Sequence, residues 1–167
     1  LAIYLFSNIL FFISFMSLSR PFQSQFTNLS STTFPKTNGY SGSIINMSSV
    51  GAKGFVDVSN TIYAATKGSI LSMTKTASQE LGKYNINVNS ICPSPTYTDI
   101  VKKLVAKRAK EQNKTEKEIM DYYMRDVPLG RFNDPDDIAS MVIFLSSSGA
   151  RNITGQSFNV DGGLIPS

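Results

Sequence analysis

The pattern of apolar and polar positions divides the chain into two unlike parts. Leu1–Leu18 is an uncharged run dominated by Leu, Ile and Phe, diluted by Ser7, Asn8, Ser14 and Ser17. Pro21–Pro35 follows, rich in Ser, Thr, Gln and Phe, with neither a helical nor a strand period, and reads as linker. From about Asn38 the apolar positions fall into strand and helix lengths in alternation. Gly42–Met47, a short apolar run between Gly and Ser, predicts a buried parallel strand. Tyr63 through Tyr84 carries Ile70, Leu71, Thr74, Ala77 and Leu81 at helical spacing, with Gly82 as a stop. Ile86–Ile91 predicts a second strand, broken by Pro93 and Pro95. Thr115-Glu116-Lys117-Glu118 fits a capping box opening a short helix before Pro128. Asp134, as N-cap ahead of Pro135, Asp136 and Asp137, opens another helix that runs through Leu145. Ser157–Val160 is the last strand. Strands alternating with helices predict an α/β fold with a parallel sheet wrapped by helices.

The boundary between the two parts is set at residues 1–35 and 36–167. Three readings stand for the first: a membrane anchor, an ordinary buried segment, or a stretch foreign to the fold, as from a misjudged gene boundary. Eighteen uncharged residues sit at the lower limit of a span, and no basic region precedes them as a signal peptide would require. The third reading is the expectation, and a membrane location through residues 1–18 is the alternative to a cytoplasmic one.

Composition narrows the chemistry. The 167 residues contain no His, which excludes Ser-His-Asp and Cys-His catalysis and His-ligated zinc. A single cysteine, Cys92, excludes an internal disulfide or a cysteine metal cluster and points to a reducing, cytosol-like compartment. The Asp and Glu residues form no ligand cluster, so no metal site is expected. Sixteen Lys and Arg against 12 Asp and Glu give a net charge of +4. Lys102–Lys117 alone holds seven Lys or Arg and two Glu, a net of +5. No aromatic residue interleaves with these charges to stack a base, so a solvated helix face is expected rather than a nucleic-acid surface.

Candidate chemistry lies between the first strand of the second part and the helix that follows it. Tyr63-Ala64-Ala65-Thr66-Lys67 sets a phenol and an ammonium at i and i+4 on one helix face. An ammonium beside a phenol favours the phenolate and lowers its pKa from about 10 towards working pH, giving a general acid/base without His. Chance surface pairs also satisfy this spacing. Ser48 and Ser49, at the end of the strand, add hydroxyls suited either to a substrate oxygen or to a strand-end turn.

Together these pieces resemble the short-chain dehydrogenase/reductase family over roughly Asn38 to Gly163. The residues that carry the resemblance come in the family's order. Gly42 through Ser49 is similar to its N-x-S-S strand end, and Tyr63 with Lys67 to its catalytic pair. Asn89 through Pro93, followed by Thr98, is similar to its N-x-x-x-P-G-x-x-x-T turn. Leu129-Gly130-Arg131-Phe132, Pro135 through Ala139, and Thr154-Gly155-Gln156 through Gly163 resemble its carboxy-terminal tail.

The resemblance implies an NAD(P)-dependent oxidoreductase that moves hydride between a nicotinamide and a hydroxyl or carbonyl of a small substrate. Hydroxy acids, polyols and sugar derivatives are the implied classes. Tyr63 would exchange the substrate proton, Lys67 would assist it and bond the nicotinamide ribose, and Ser49 would orient the substrate oxygen, with Ser48 as the lesser candidate. Pro93, Ser94 and Thr98 would meet the nicotinamide, with NAD or NADP equally open. A homo-oligomer, or an intact paralogue, is the implied partner. The segment Val101–Met124 would be a lid, placing Lys102, Lys103 or Arg108 near an anionic substrate.

Departures matter as much. The family's glycine-rich phosphate loop needs glycines so that backbone can approach a pyrophosphate, yet the first glycine here is Gly39. The expected fold is therefore a partial doubly wound, Rossmann-like parallel sheet lacking its amino-terminal dinucleotide-binding half. An inactive remnant acting through protein contacts is the alternative function. Residues 36–167 alone are expected to be marginally stable or to need a partner surface. Asn28 lies in the wrong kind of sequence to be the family's catalytic Asn. Ser94 stands where the family turn has Gly, and is expected to weaken cofactor contact or shift the turn.

Overall fold

The structure is a computed structural model that describes residues 3–6, 42–54 and 59–166. Its framework is a four-stranded sheet, every pairing parallel, in the order β1 (Ile3–Phe6), β2 (Gly42–Met47), β3 (Ile86–Pro93), β4 (Ser157–Val160). Helix α1 (Thr61–Leu81) connects β2 to β3, and α2 (Asp99–Gln112), α3 (Glu116–Met124) and α4 (Pro135–Ser146) lie between β3 and β4. This is the predicted α/β architecture. Ile3–Phe6 pairs with Ser43–Asn46; the rest of residues 1–35 lies outside the described residues. None of the described helices is long and apolar enough to cross a membrane.

Alternation along β2 assigns the helices to the two faces. Ile45, fully buried, packs with Ile91, Leu145 and Ala150, and with Ile138, Met141 and Val142 of α4. Its neighbour Asn46 points the other way, as consecutive strand residues must, and its Nδ2 donates to Thr74 Oγ1 on α1 at 2.9 Å. So α4 covers one face and α1 the other. Near-continuous burial along β3 follows from that double cover. Beneath α1, Val50, Cys92 and Ile165 form a second cluster with Leu71 and Leu164. The hairpin of α2 and α3 closes on its own small core of Val105, Ala109 and Ile119.

The starts of α3 and α4 are those the sequence predicts, whereas α1 begins at Thr61 on its Asn60 cap, two residues before Tyr63. Thr115 and Glu118 form a reciprocal capping box, and Asp134 with Asp137 forms another around Pro135. Two further boundaries differ. Gly82 does not end α1 in a left-handed turn: its φ is −56, and its N–H still bonds the Ser78 carbonyl. The reversal falls on Asn85 at φ 59, a conformation asparagine tolerates. Strand β3 also runs through Pro93, because a proline at the last strand position gives up one donor there. The ladder resumes at Ser94, whose N–H donates to the Val160 carbonyl at 3.1 Å.

Candidate active site

The candidate residues gather at the carboxyl ends of β2 and β3, where open parallel sheets bind their ligands. Strand β2 delivers Ser48 and Ser49 at its end. Ser48 is buried, and its hydroxyl donates to the Lys67 carbonyl at 2.9 Å. Ser49, less buried, caps the 3-10 turn Val50–Lys53, its Oγ accepting from Gly51 N at 3.1 Å. Of the two hydroxyls, Ser48 is therefore bound into the helix–strand junction, whereas Ser49 sits in the more open turn.

Helix α1 supplies Tyr63 and Lys67. Asn60 caps it by accepting from Tyr63 N at 2.8 Å, so Tyr63 lies in the first turn, the residue 41% exposed. Lys67 points back to the strand: its Nζ donates to the Met47 carbonyl at 3.2 Å and lies 5.9 Å from the Tyr63 ring centroid. Burial pulls the Lys67 ammonium below its ordinary pKa, with the neighbouring Cys92 sulfur acting in the opposite sense. Burial likewise pushes the Cys92 thiol up, against the opposing influence of the Lys53 ammonium. An ammonium carries three donors, and among the described residues Met47 is the acceptor this one reaches.

Gly51 makes this packing possible and escapes any motif reading. A Cβ placed there would stand 2.8 Å from Ser59 Oγ and 3.4 Å from Tyr63 Cε1. Its carbonyl accepts from Ser59 Oγ at 3.2 Å, which ties the loop to the entrance of α1.

Strand β3 ends in the segment Pro93–Thr98. Ser94 is buried: its Oγ accepts from Asn133 Nδ2 at 3.2 Å, and its carbonyl accepts from Thr96 Oγ1 at 3.1 Å. Thr98 is the N-cap residue of α2, but its hydroxyl makes no cap bond. Hydroxyl and ammonium groups from β2, α1 and the β3 turn thus lie at the same end of the parallel sheet.

A family model described as enoyl-(acyl carrier protein) reductase matches residues 24–165. The chain belongs to the short-chain dehydrogenase/reductase family. This dehydrogenase/reductase chain is 38% identical over 129 residues to the (3R)-3-hydroxyacyl-CoA dehydrogenase of Homo sapiens, covering 77% of itself and 45% of that relative. Among solved structures it superimposes on L-sorbose reductase from Gluconobacter frateurii, complexed with NADPH and L-sorbose. There the TM-score is 0.69 and the identity 29%, over 75% of this chain and 48% of that one. A 3-oxoacyl-[acyl-carrier protein] reductase with bound NAD from Brucella melitensis gives 0.60 and 30%, over 75% and 41%. The chain spans about half the length of these relatives, or somewhat less.

The basic segment resolves into particular contacts. Lys102 pairs with Asp99 at 3.2 Å and lies over the Tyr97 ring, and Lys107 pairs with Glu111 at 3.6 Å. Arg108 donates to Tyr123 Oη across the α2–α3 hairpin. Two of the three cations expected to face an anionic substrate are thereby engaged by the chain itself, Lys102 by Asp99 and Tyr97 and Arg108 by Tyr123.

Proposed function

We propose that this short-chain dehydrogenase/reductase chain serves an NAD(P)-dependent oxidoreductase acting on a hydroxyl or carbonyl of a small molecule, such as a hydroxy acid, a polyol or a sugar derivative. The observation that carries the reading is the Tyr63–Lys67 pair docked on the end of β2, with Ser49 in the adjoining turn. The residues present fit the nicotinamide end of such a cofactor: Lys67 has donors beyond the one Met47 accepts, and the Thr98 hydroxyl is not spent on capping α2. They supply no glycine-rich loop for the pyrophosphate, since the first glycine is Gly39.

When bound, the nicotinamide gives or takes the hydride. The chain's own part is proton chemistry and positioning. Tyr63 Oη passes a proton to the substrate oxygen during reduction, or receives it during oxidation. Lys67 offsets negative charge near Tyr63 from its place against the Met47 carbonyl, where partial burial strengthens its field. Ser49 Oγ orients the substrate oxygen and stabilises the charge that develops on it. The choice between NAD and NADP, a homo-oligomeric assembly and a reducing, cytosol-like compartment complete the proposal.

The test is titration of the 167-residue chain with NADH and NADPH, followed by turnover on a panel of hydroxy acids and polyols with Tyr63→Phe as control. Binding, and turnover that the control abolishes, are the expected results. Failure to bind either nucleotide would overturn the reading. That outcome would favour the second one, a chain acting only through protein contacts. The second reading draws on the exposed Ile143 and Phe144 of α4 and on the missing phosphate loop.

A further inference from the structure

Ser94 is the departure from the family turn that the sequence shows most plainly, and the structure gives it a partner. A serine where the turn ordinarily has glycine brings a hydroxyl into a site only 7% exposed. A buried hydroxyl without a partner is costly. Asn133, itself only 5% exposed, donates through Nδ2 to Ser94 Oγ at 3.2 Å and through the same nitrogen to the Val160 carbonyl. Val160 O also accepts from Ser94 N at 3.1 Å, so the asparagine, the turn and the end of β4 share one acceptor.

The Asn133 backbone is bound to the same segment. Its N–H donates to the Pro95 carbonyl at 3.2 Å, and its carbonyl accepts from Tyr97 N at 2.8 Å, forming an isolated parallel bridge with Thr96. Next to it, the Phe132 ring packs tilted against Tyr97 at 5.8 Å and edge-on against Tyr123 of α3 at 6.3 Å. One residue thus links the turn, the last strand and the connection that carries the α2–α3 hairpin.

We propose that Asn133 is a positioning residue: by bonding Ser94 Oγ and Val160 O together it fixes the Pro93–Thr98 turn that presents Thr98 to the nicotinamide. Asn133 and Ser94 act as a pair, the asparagine satisfying the hydroxyl that replaces glycine. This inference rests on the cofactor reading above, and its test separates the two. In Asn133→Ala the Ser94 hydroxyl loses its donor, whereas Asn133→Ala combined with Ser94→Gly removes the hydroxyl as well.

The experiment measures NADH and NADPH affinity and amide hydrogen exchange at Ser94 and Tyr97 in the wild-type chain, in Asn133→Ala and in the double variant. The expected result for Asn133→Ala is affinity weaker by about fivefold, the change that losing one hydrogen bond of ordinary net strength brings. Faster exchange at both amides should accompany it, and both effects should be largely reversed in the double variant. Unchanged exchange in Asn133→Ala would overturn the proposal, as would faster exchange with affinity unaltered, which is the mark of a merely structural contact. A double variant no better than Asn133→Ala would overturn the pairing. Wild-type chain that binds neither nucleotide would remove the cofactor reading itself, and that is visible before any variant is made.

Discussion

The two halves of the candidate site are held in opposite ways. On the β2 side, Tyr63 is partly exposed, Ser49 sits in a short turn, and Lys67 reaches the strand through a hydrogen bond to Met47. On the β3 side, Ser94 is bonded through its N–H, its hydroxyl and its carbonyl, and Asn133 through backbone and side chain alike. The first half keeps reactive groups accessible and lets their donors remain available. Around Ser94 and Asn133 the second half is a scaffold whose polar groups are committed, with the Thr98 hydroxyl left over from capping α2. On the proposed function, the groups assigned to proton chemistry are thus separate from those that fix distance, and the two should respond differently to substitution.

The largest effect expected is on the accessible side. Tyr63→Phe should lower turnover by roughly 10²–10⁴-fold, the range a positioned acid/base contributes. Its unfolding midpoint should stay close to that of the wild type, because the lost hydroxyl belongs to a partly exposed ring. A large drop in stability would mean that the phenol is structural, and the contrast between the two halves would collapse. Next comes Gly51→Val, which drives a side chain into Ser59 and towards the Tyr63 ring. A cost of about 1–3 kcal/mol is expected from overpacking, read by denaturant titration, together with weakened turnover.

Thr74→Val tests the sheet beneath the site. It keeps the shape but leaves Asn46 Nδ2 without its buried acceptor, for a loss of about 1–3 kcal/mol. A neutral result would show that water or a rearranged Asn46 takes the bond.

Lys67 gives a pH signature. Burial lowers its pKa in the folded chain below the 10.5 of the unfolded one, so the unfolded state binds more protons between those values. Stability contributed by this group therefore rises as pH climbs through the lowered pKa towards 10.5, and below that window the penalty of the buried charge is constant. Lys67→Met should flatten this rise in the thermal midpoint measured against pH, while turnover is lost. An unaltered profile would show that the ammonium carries no folding penalty. The smallest effect belongs to the exposed face of α2, where Lys103→Gln should change stability by less than about 0.5 kcal/mol. It should leave turnover of a neutral polyol unchanged.

What the sequence shows in advance follows the range of the interactions. Asp134-Pro135-Asp136-Asp137 declares its helix because a cap and its partners lie within three residues of one another. Tyr63 and Lys67 are legible for the same reason, one helical turn apart. Ser49 could be named from its strand end, but its bond to Gly51 belongs to a turn that no apolar period describes. Asn133 is the opposite case. Its partners Ser94 and Val160 lie 39 and 27 positions away, and nothing in Phe132-Asn133-Asp134 announces them. Ser94 was visible only as an exception, with no hint of what answers it. Gly82 misled because glycine usually marks a helix end, whereas here the chain keeps helical geometry and leaves the reversal to Asn85. The basic run at Lys102–Lys117 announced charge but not its destination, since Tyr97 and Tyr123, which take two of its cations, lie outside it.

Strand order along the sheet is the same as strand order along the chain. Each new strand therefore docks beside the one made just before it, on an edge already present when a growing chain emerges amino-terminus first. Among the described strands, assembly becomes a matter of laying planks in sequence. The last plank, β4, carries the Val160 carbonyl on which both Ser94 and Asn133 close. The turn after β3 is consequently closed only once β4 is in place, and a chain stopped before Val160 would carry Tyr63 and Lys67 without the acceptor on which Ser94 and Asn133 close.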